Sequence, residues 1–131
     1  MARLDDCARD ADILVVQGGI NDIAQGRPVE DAARNLRTMV RRGKELRLRV
    51  VLVDVLPWNN GWPEAEPQIR RLNVLIAEVA QDESVPLFPF HDTLEDPARP
   101  GRMRAEWTSD GAHPSVEGYR KLGEVVARLV D

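Results

Sequence analysis

An α/β fold built on a parallel sheet is predicted by three features of this 131-residue chain. Short β-branched runs without charge alternate with longer stretches whose apolar residues follow a helical period. The runs stay apolar at successive positions, as strands buried on both faces do. Strands that alternate with helices in this way form right-handed βαβ units, which place helices on both faces of the sheet.

The elements follow in order. Residues 2–10 read as the last turns of a helix, with Leu4, Cys7 and Ala8 on one side. Ile13-Leu14-Val15-Val16-Gln17 is the first strand, of the type buried on both faces. Gly18-Gly19 ends it and permits a tight turn or close backbone approach. Pro28 opens a helix, because its missing N–H is no loss in a first turn, and Glu30 and Asp31 suit the positive end of the helix dipole. Val29, Ala32, Ala33, Leu36, Met39, Val40 and Leu46 form its apolar stripe. Val50 to Val55 is a second strand, and Leu56 to Glu66 a loop containing Trp58, Asn59, Asn60, Gly61 and Trp62. Another helix starts near Pro67, with Ile69, Leu72, Leu75, Ile76, Val79 and Ala80 inward. Val85 to Phe90 is a short third strand whose prolines place it at an edge or end it early. Residues 92–109 are expected to be irregular. Ser115 is the N-cap of a last helix over 116–130, with Val116, Tyr119, Leu122, Val125, Val126 and Leu129 facing in.

Composition narrows the partners. The chain is 43% hydrophobic and 31% charged, ordinary for one soluble globular domain. A net charge of -4 argues against nucleic acid. The basic run from Arg34 to Arg49 has helical spacing and reads as a solvated face. No apolar run reaches the ~18 residues of a membrane span. The single cysteine, Cys7, rules out an intrachain disulfide, and the polar start is not a signal peptide. Localisation stays open, and is cytoplasmic if Met1 is the genuine N-terminus.

Two stretches carry chemistry. Asp110-Gly111-Ala112-His113-Pro114 holds a carboxylate and an imidazole three residues apart in a Gly- and Pro-bounded turn. The carboxylate can orient the ring, and the ring can take and return a proton near neutral pH. About ninety residues upstream, Gly18-Gly19-Ile20-Asn21-Asp22 follows the first strand. Asn21 can offer its side-chain NH2 to a developing oxyanion, and Gly19 fits close approach of the backbone to a substrate. In a parallel sheet, ligands bind at the carboxyl ends of the strands; the Gly18 to Asp22 turn and the Trp58–Trp62 loop lie at such ends, and the Asp110–His113 turn can be brought to the same rim.

The Val15-Val16-Gln17-Gly18-Gly19-Ile20-Asn21-Asp22 segment resembles the Gly-x-Asn-Asp block of the SGNH (GDSL) hydrolases. Thr108-Ser109-Asp110-Gly111-Ala112-His113-Pro114, followed by Gly118-Tyr119, resembles their Asp-x-x-His-Pro block. The resemblance covers residues 10–131. It implies a flavodoxin-like three-layer α/β/α sandwich that lacks its first strands, with residues 1–131 as the C-terminal two-thirds of the domain. It implies a small ester substrate and Ser-His-Asp hydrolysis of the carboxylesterase, thioesterase or deacetylase type, without a metal; no cofactor is expected. Asn21 maps to the oxyanion hole, His113 to the base and Asp110 to the carboxylate that orients it; Gly19 is the further oxyanion-hole candidate, read from its place in the turn and not from the resemblance.

The family's nucleophilic Ser lies in a Gly-Asp-Ser block well upstream of the Gly-x-Asn-Asp block. None of the eighteen residues before Gly19 is a serine. Ser84 reads as a turn residue, Ser115 as a helix cap and Cys7 as a helix-facing side chain, while Ser109 is the least unsuited substitute. The nucleophile is therefore unassigned. The alternative is a non-catalytic remnant that serves binding or assembly. Losing its first strands would also leave residues 13–17 as a naked edge, which predicts a homo-oligomer, strand swapping or pairing with a separate N-terminal piece. Trp58 and Trp62 either line an acyl or aryl pocket or close their loop on the core. His91-Asp92 reads as structural. A metal site drawn from Asp22, His91, Asp92, Asp110 and His113 lacks metal-type spacing.

Overall fold

The computed structural model describes Leu4 and residues 11–61 and 63–130. The helix expected over 2–10 lies, Leu4 apart, outside these residues, as do Cys7 and Trp62.

Three parallel strands form the sheet: β1 (Ile13–Val16), β2 (Arg49–Val53) and β3 (Leu87–Phe88), in the order β1-β2-β3. Val15 lies opposite Val51, and Val53 opposite Phe88. A short helix α1 (Ile20–Ala24) follows β1, and α2 (Val29–Glu45) leads to β2. Then come α3 (Ala65–Glu83), β3, a short α4 (Phe90–Leu94), and a hairpin of β4 (Glu95–Asp96) and β5 (Arg99–Met103). A 3-10 turn at Ala105–Trp107 precedes the last helix, α5 (Val116–Val130).

One face of the sheet is covered by α2 and α3. Val16, Val50 and Leu52 pack there with Leu36, Val40, Leu72 and Ile76. Of the predicted stripe of α2, Val29, Ala32, Ala33, Leu36 and Val40 are buried and Met39 is half-buried, while Leu46 lies just past the helix end; Pro28, Glu30 and Asp31 stand at its start as expected. Gly43 lets α2 approach closely, since a Cβ there would lie 2.7 Å from Val50 and 2.8 Å from Leu14. The other face is covered by α5, whose Val126 packs on Val51, Val53 and Phe88. The result is a parallel sheet between two helical layers.

Several expectations need correction. β1 is not buried on both faces. Val16 is buried, but Ile13 is 40% and Val15 53% exposed. Their face is the α5 side, and α5 lies over β2 and β3, so β1 stays an uncovered outer strand of the described sheet. The third strand is shorter than expected. Pro86 and Pro89 flank it and donate no ladder bonds, and Phe90 already starts α4. Residues 92–109 are not wholly irregular. Asp96 accepts a bond from the Ala98 amide at 2.9 Å, and Gly101, at φ 86°, donates to Glu95 at 2.7 Å, which closes the β4–β5 hairpin. On α5, Leu122 and Val125 are buried, whereas Val116 and Tyr119 are 75% and 59% exposed. The first turn of α5 overhangs the rim of a cavity instead of the sheet.

Asp54, just after β2, is buried and accepts a hydrogen bond from the His91 amide at 2.8 Å, which ties β2 to α4. Burial pushes its carboxyl up from an ordinary 3.8 to about 6, against the lowering effect of that bond. The folded chain thus holds this proton more tightly than the unfolded chain does. The stability it contributes is fully present below about pH 4 and is lost as pH rises through about 6, a swing of roughly 3 kcal/mol. Asp54→Asn keeps an acceptor for the His91 amide. It should raise the thermal midpoint at pH 8 and flatten its fall between pH 4 and 8; a lower midpoint at pH 8 would contradict this origin.

Candidate active site

The strand ends and the helix layers leave an open cavity of about 560 Å³ at the carboxyl end of the sheet. Each strand supplies part of the wall: Gln17, Gly18, Ile20 and Asn21 after β1, Val55 to Trp58 after β2, and Phe90 after β3. Tyr119, Leu122 and Val126 of α5 close the opposite side, and Ala112, His113 and Pro114 stand at the rim. The lining is mainly apolar, with Asn21 and His113 among its polar groups.

Asn21 and His113, ninety-two positions apart in the chain, thus face one cavity. Asn21 sits in the first turn of α1 and is exposed. Its side chain makes no hydrogen bond among the described residues, so both amide protons are available. Gly19 does not line the cavity. It adopts φ 118°, ψ -23°, and a Cβ there would collide with Leu72. Its position is set by the close turn of β1 into α1. Gly18, just before it, is on the wall.

The Asp110–His113 turn is built as one unit. Asp110 Oδ1 accepts from the Ala112 and His113 amides, each at 2.8 Å. Asp110 Oδ2 lies 2.8 Å from His113 Nδ1. The His113 amide, then its ring, then the Ala112 amide hold the Asp110 carboxyl far below the usual carboxylate range. The carboxylate therefore stays ionised and keeps a proton on Nδ1. That leaves Nε2 with the lone pair a general base needs. Asp110 is not itself on the cavity wall and meets it only through the His113 ring.

Sequence reasoning missed what holds this turn. The Asn59 amide donates to Gly111 O at 2.8 Å, and Asn60 Nδ2 donates to Asp110 O. Thr108 Oγ1 donates to His113 O at 2.7 Å and accepts from the Gly111 amide at 2.9 Å. Gly111, at φ 81°, passes so close to Asn60 that a Cβ would collide with its amide. Asn59-Asn60-Gly61 signals a loop by composition, but its partners lie about fifty residues away.

No serine, threonine or cysteine lines the cavity among the described residues. Ser84 is the left-handed C-cap of α3, at φ 56°. Ser115 Oγ donates to Glu106 O at 2.9 Å and accepts from the Gly118 amide at 3.2 Å, so it caps α5 as expected. Ser109 is exposed and off the wall. Trp58 is half-buried, lines the cavity and also packs on the core. His91 is buried, with its amide on Asp54, and stands away from the cavity. Asp22, Asp110 and His113 do not join it. Ligand atoms that do come together are those of His91, Asp92 and Glu95, within 4.8 Å. Glu95 there is already bound to Arg70 and the Gly101 amide. No described helix is long and apolar enough to cross a membrane.

The chain matches known proteins by family profile and by fold. The GDSL-like Lipase/Acylhydrolase family profile matches residues 2–121. No curated protein matches the sequence. Among solved structures, a GDSL-like lipase from Bacteroides thetaiotaomicron superposes with a TM-score of 0.88 at 21% identity, covering 98% of this chain and 67% of that one. A member of the lipolytic G-D-S-L family from Veillonella parvula gives 0.80 at 17% identity, covering 98% and 70%. An acetyl-xylooligosaccharide esterase from Geobacillus gives 0.73 at 18% identity, covering 97% and 64%. At these identities the structures speak for the fold. The chain spans about two thirds of their lengths.

Proposed function

The chain belongs to the GDSL-like lipase/acylhydrolase family, and we propose that it carries the base, the orienting carboxylate and an oxyanion donor of an ester hydrolase of the Ser-His-Asp type. The observation that carries this reading is the 2.8 Å Asp110–His113 contact on the rim of a cavity that Asn21 also lines. In the reaction, His113 Nε2 takes the proton of the attacking hydroxyl and later returns it to the leaving group. Asp110 stabilises the imidazolium formed in between. Asn21 donates to the oxyanion of the tetrahedral intermediate, where one such donor is worth about 10²–10³ in kcat. The apolar wall, Trp58 included, suits the acyl or alcohol part of a small ester.

The hydroxyl itself comes from outside the cavity wall described above, in a segment joined to this domain or associated with it. Without it, catalysis falls to the roughly 10³–10⁴-fold over water that oxyanion donors and binding supply alone. The uncovered face and outer edge of β1 support association: Ile13 and Val15 are exposed apolar residues on a strand that, among the described residues, pairs on one side only, with β2. Light scattering of the isolated chain should show an oligomer, and a monodisperse monomer would count against pairing through β1.

Hydrolysis of p-nitrophenyl acetate tests the functional reading. Residues 1–131 alone should show no turnover that a serine-directed phosphonate abolishes. A complex or longer chain that contains them should show it, and should lose it on Asn21→Ala and His113→Ala. Folded, phosphonate-insensitive protein in both forms would favour the second reading, a binding or assembly domain, for which the nucleophile-free wall is the supporting observation.

A further inference from the structure

We propose that Asn60, with the neighbouring Asn59 amide, is the positioning residue of the Asp110–His113 pair. The inference rests on His113 being the base, but not on what the base acts upon.

The His113 side chain is 76% exposed and that of Asp110 55%. Packing therefore cannot fix the ring, and polar contacts must. The contacts inside the turn run from Asp110 to the Ala112 and His113 amides and to the ring. They hold the pair together, but they do not aim it at the cavity. Thr108 and Ser115 tie the two ends of the turn to its own flanks, and the link from Asp110 and Gly111 to a distant part of the chain comes from one loop. Asn60 Nδ2 holds the Asp110 carbonyl, and the Asn59 amide holds the Gly111 carbonyl at 2.8 Å. That loop is itself anchored. Asn59 Oδ1 accepts from the Met103 amide at 2.7 Å, and its Nδ2 donates to Met103 O at 3.2 Å, so the side chain pairs with the end of β5 like a short strand. Met103 is buried beside Leu94 and Leu122. Trp58, one residue before, lines the cavity.

The chain of contacts therefore runs from a buried core residue, through Asn59 and Asn60, to the backbone of the two residues that start the Asp110–His113 turn. The fit at Gly111 adds a steric element. Its α-carbon lies against the Asn60 amide, so the amide limits how far the turn can tilt. Loss of Asn60 removes both the donor and the stop, so the turn can tilt at Asp110 and Gly111 and the Asp110 Oδ2 contact to the His113 ring loosens.

The test is the tautomer of neutral His113, read by proton–nitrogen correlation NMR of the ring in the intact chain. In the wild-type protein the Nδ1–H form should dominate. Asn60→Ala should lower the ratio of Nδ1–H to Nε2–H forms by about fivefold, the weight of one net hydrogen bond. Asn60→Gln, which keeps an amide donor on a longer stem, should recover part of it. Backbone shifts outside residues 57–61 and 107–115 should not move. Should the alanine variant not fold, Asn60→Ser, too short to reach Asp110, serves as the same test. A folded variant without the amide whose tautomer ratio equals that of the wild type overturns the proposal. Absence of hydrolysis in any assembled form would sink the ester reading and leave this result untouched.

Discussion

Replacing His113 with alanine should lower kcat by about 10⁵-fold in any complex or longer chain in which this domain hydrolyses an ester. KM should hardly change, because the ring acts on a proton in flight and contributes little to binding the ester. The thermal midpoint should also hold, because the side chain is 76% exposed and fills no core space. That separation makes the variant informative, since loss of rate without loss of fold assigns chemistry and not architecture. Asp110→Asn should cost about 10⁴-fold. An amide can present its NH2 to Nδ1 and favour the wrong tautomer, even though both backbone bonds to Oδ1 can remain. A loss below tenfold for His113→Ala would show that another group is the base.

Gly19→Ala should be the most damaging single-methyl change in the fold. Gly19 sits at φ 118°, where a side chain is strained, and the new Cβ would run into Leu72. Leu72 is fully buried among Ile23, Val55, Ile69 and Ile76, so it has little room to give. Backbone strain of about 1–3 kcal/mol adds to an overpacking cost of about 1–3 kcal/mol. Against a total stability of about 5–15 kcal/mol, such a loss is large. Urea unfolding should show a drop of roughly 2–5 kcal/mol. A loss under about 1 kcal/mol would mean that β1 and α1 can separate without disturbing the core. The effect also reaches the site, because the same turn sets Asn21 on the cavity wall.

What the sequence reveals here is set by how local each cause is. The stripe of α2, the cap at Ser115 and the Asp110–His113 turn follow from residues within one or two turns of one another, so their spacing alone predicts them. The place of Asn21 at the rim follows from topology, because parallel strands carry their following loops to one end of the sheet, whereas the His113 turn follows the β4–β5 hairpin and is held at that rim by contacts with the loop after β2. The exposure of Ile13 and Val15 has no local sign. A strand reads as buried on both faces by its own residues, but what covers it is decided by the reach of α5. Tyr119 repeats this on a helix, since its position in the stripe is apolar yet lies beyond the edge of the sheet. The β4–β5 hairpin hides behind Pro97, Pro100 and four charged residues, and its turn is closed by side chains of Glu95 and Asp96. Asn59 and Asn60 are the largest omission. Their partners, Met103, Asp110 and Gly111, lie 44 to 52 positions away, and only the folded chain brings them together.

The proposed site presents a base, its orienting carboxylate and an oxyanion donor around a cavity whose wall, among the described residues, holds no nucleophile. Mass spectrometry after exposure to a serine-directed phosphonate tests it most directly. The isolated chain should carry no adduct on Ser84, Ser109 or Ser115, while an active complex or longer chain should be labelled on a serine outside residues 1–131, with the labelling lost on His113→Ala. An adduct on Ser109 of the isolated chain that disappears on His113→Ala would contradict the account.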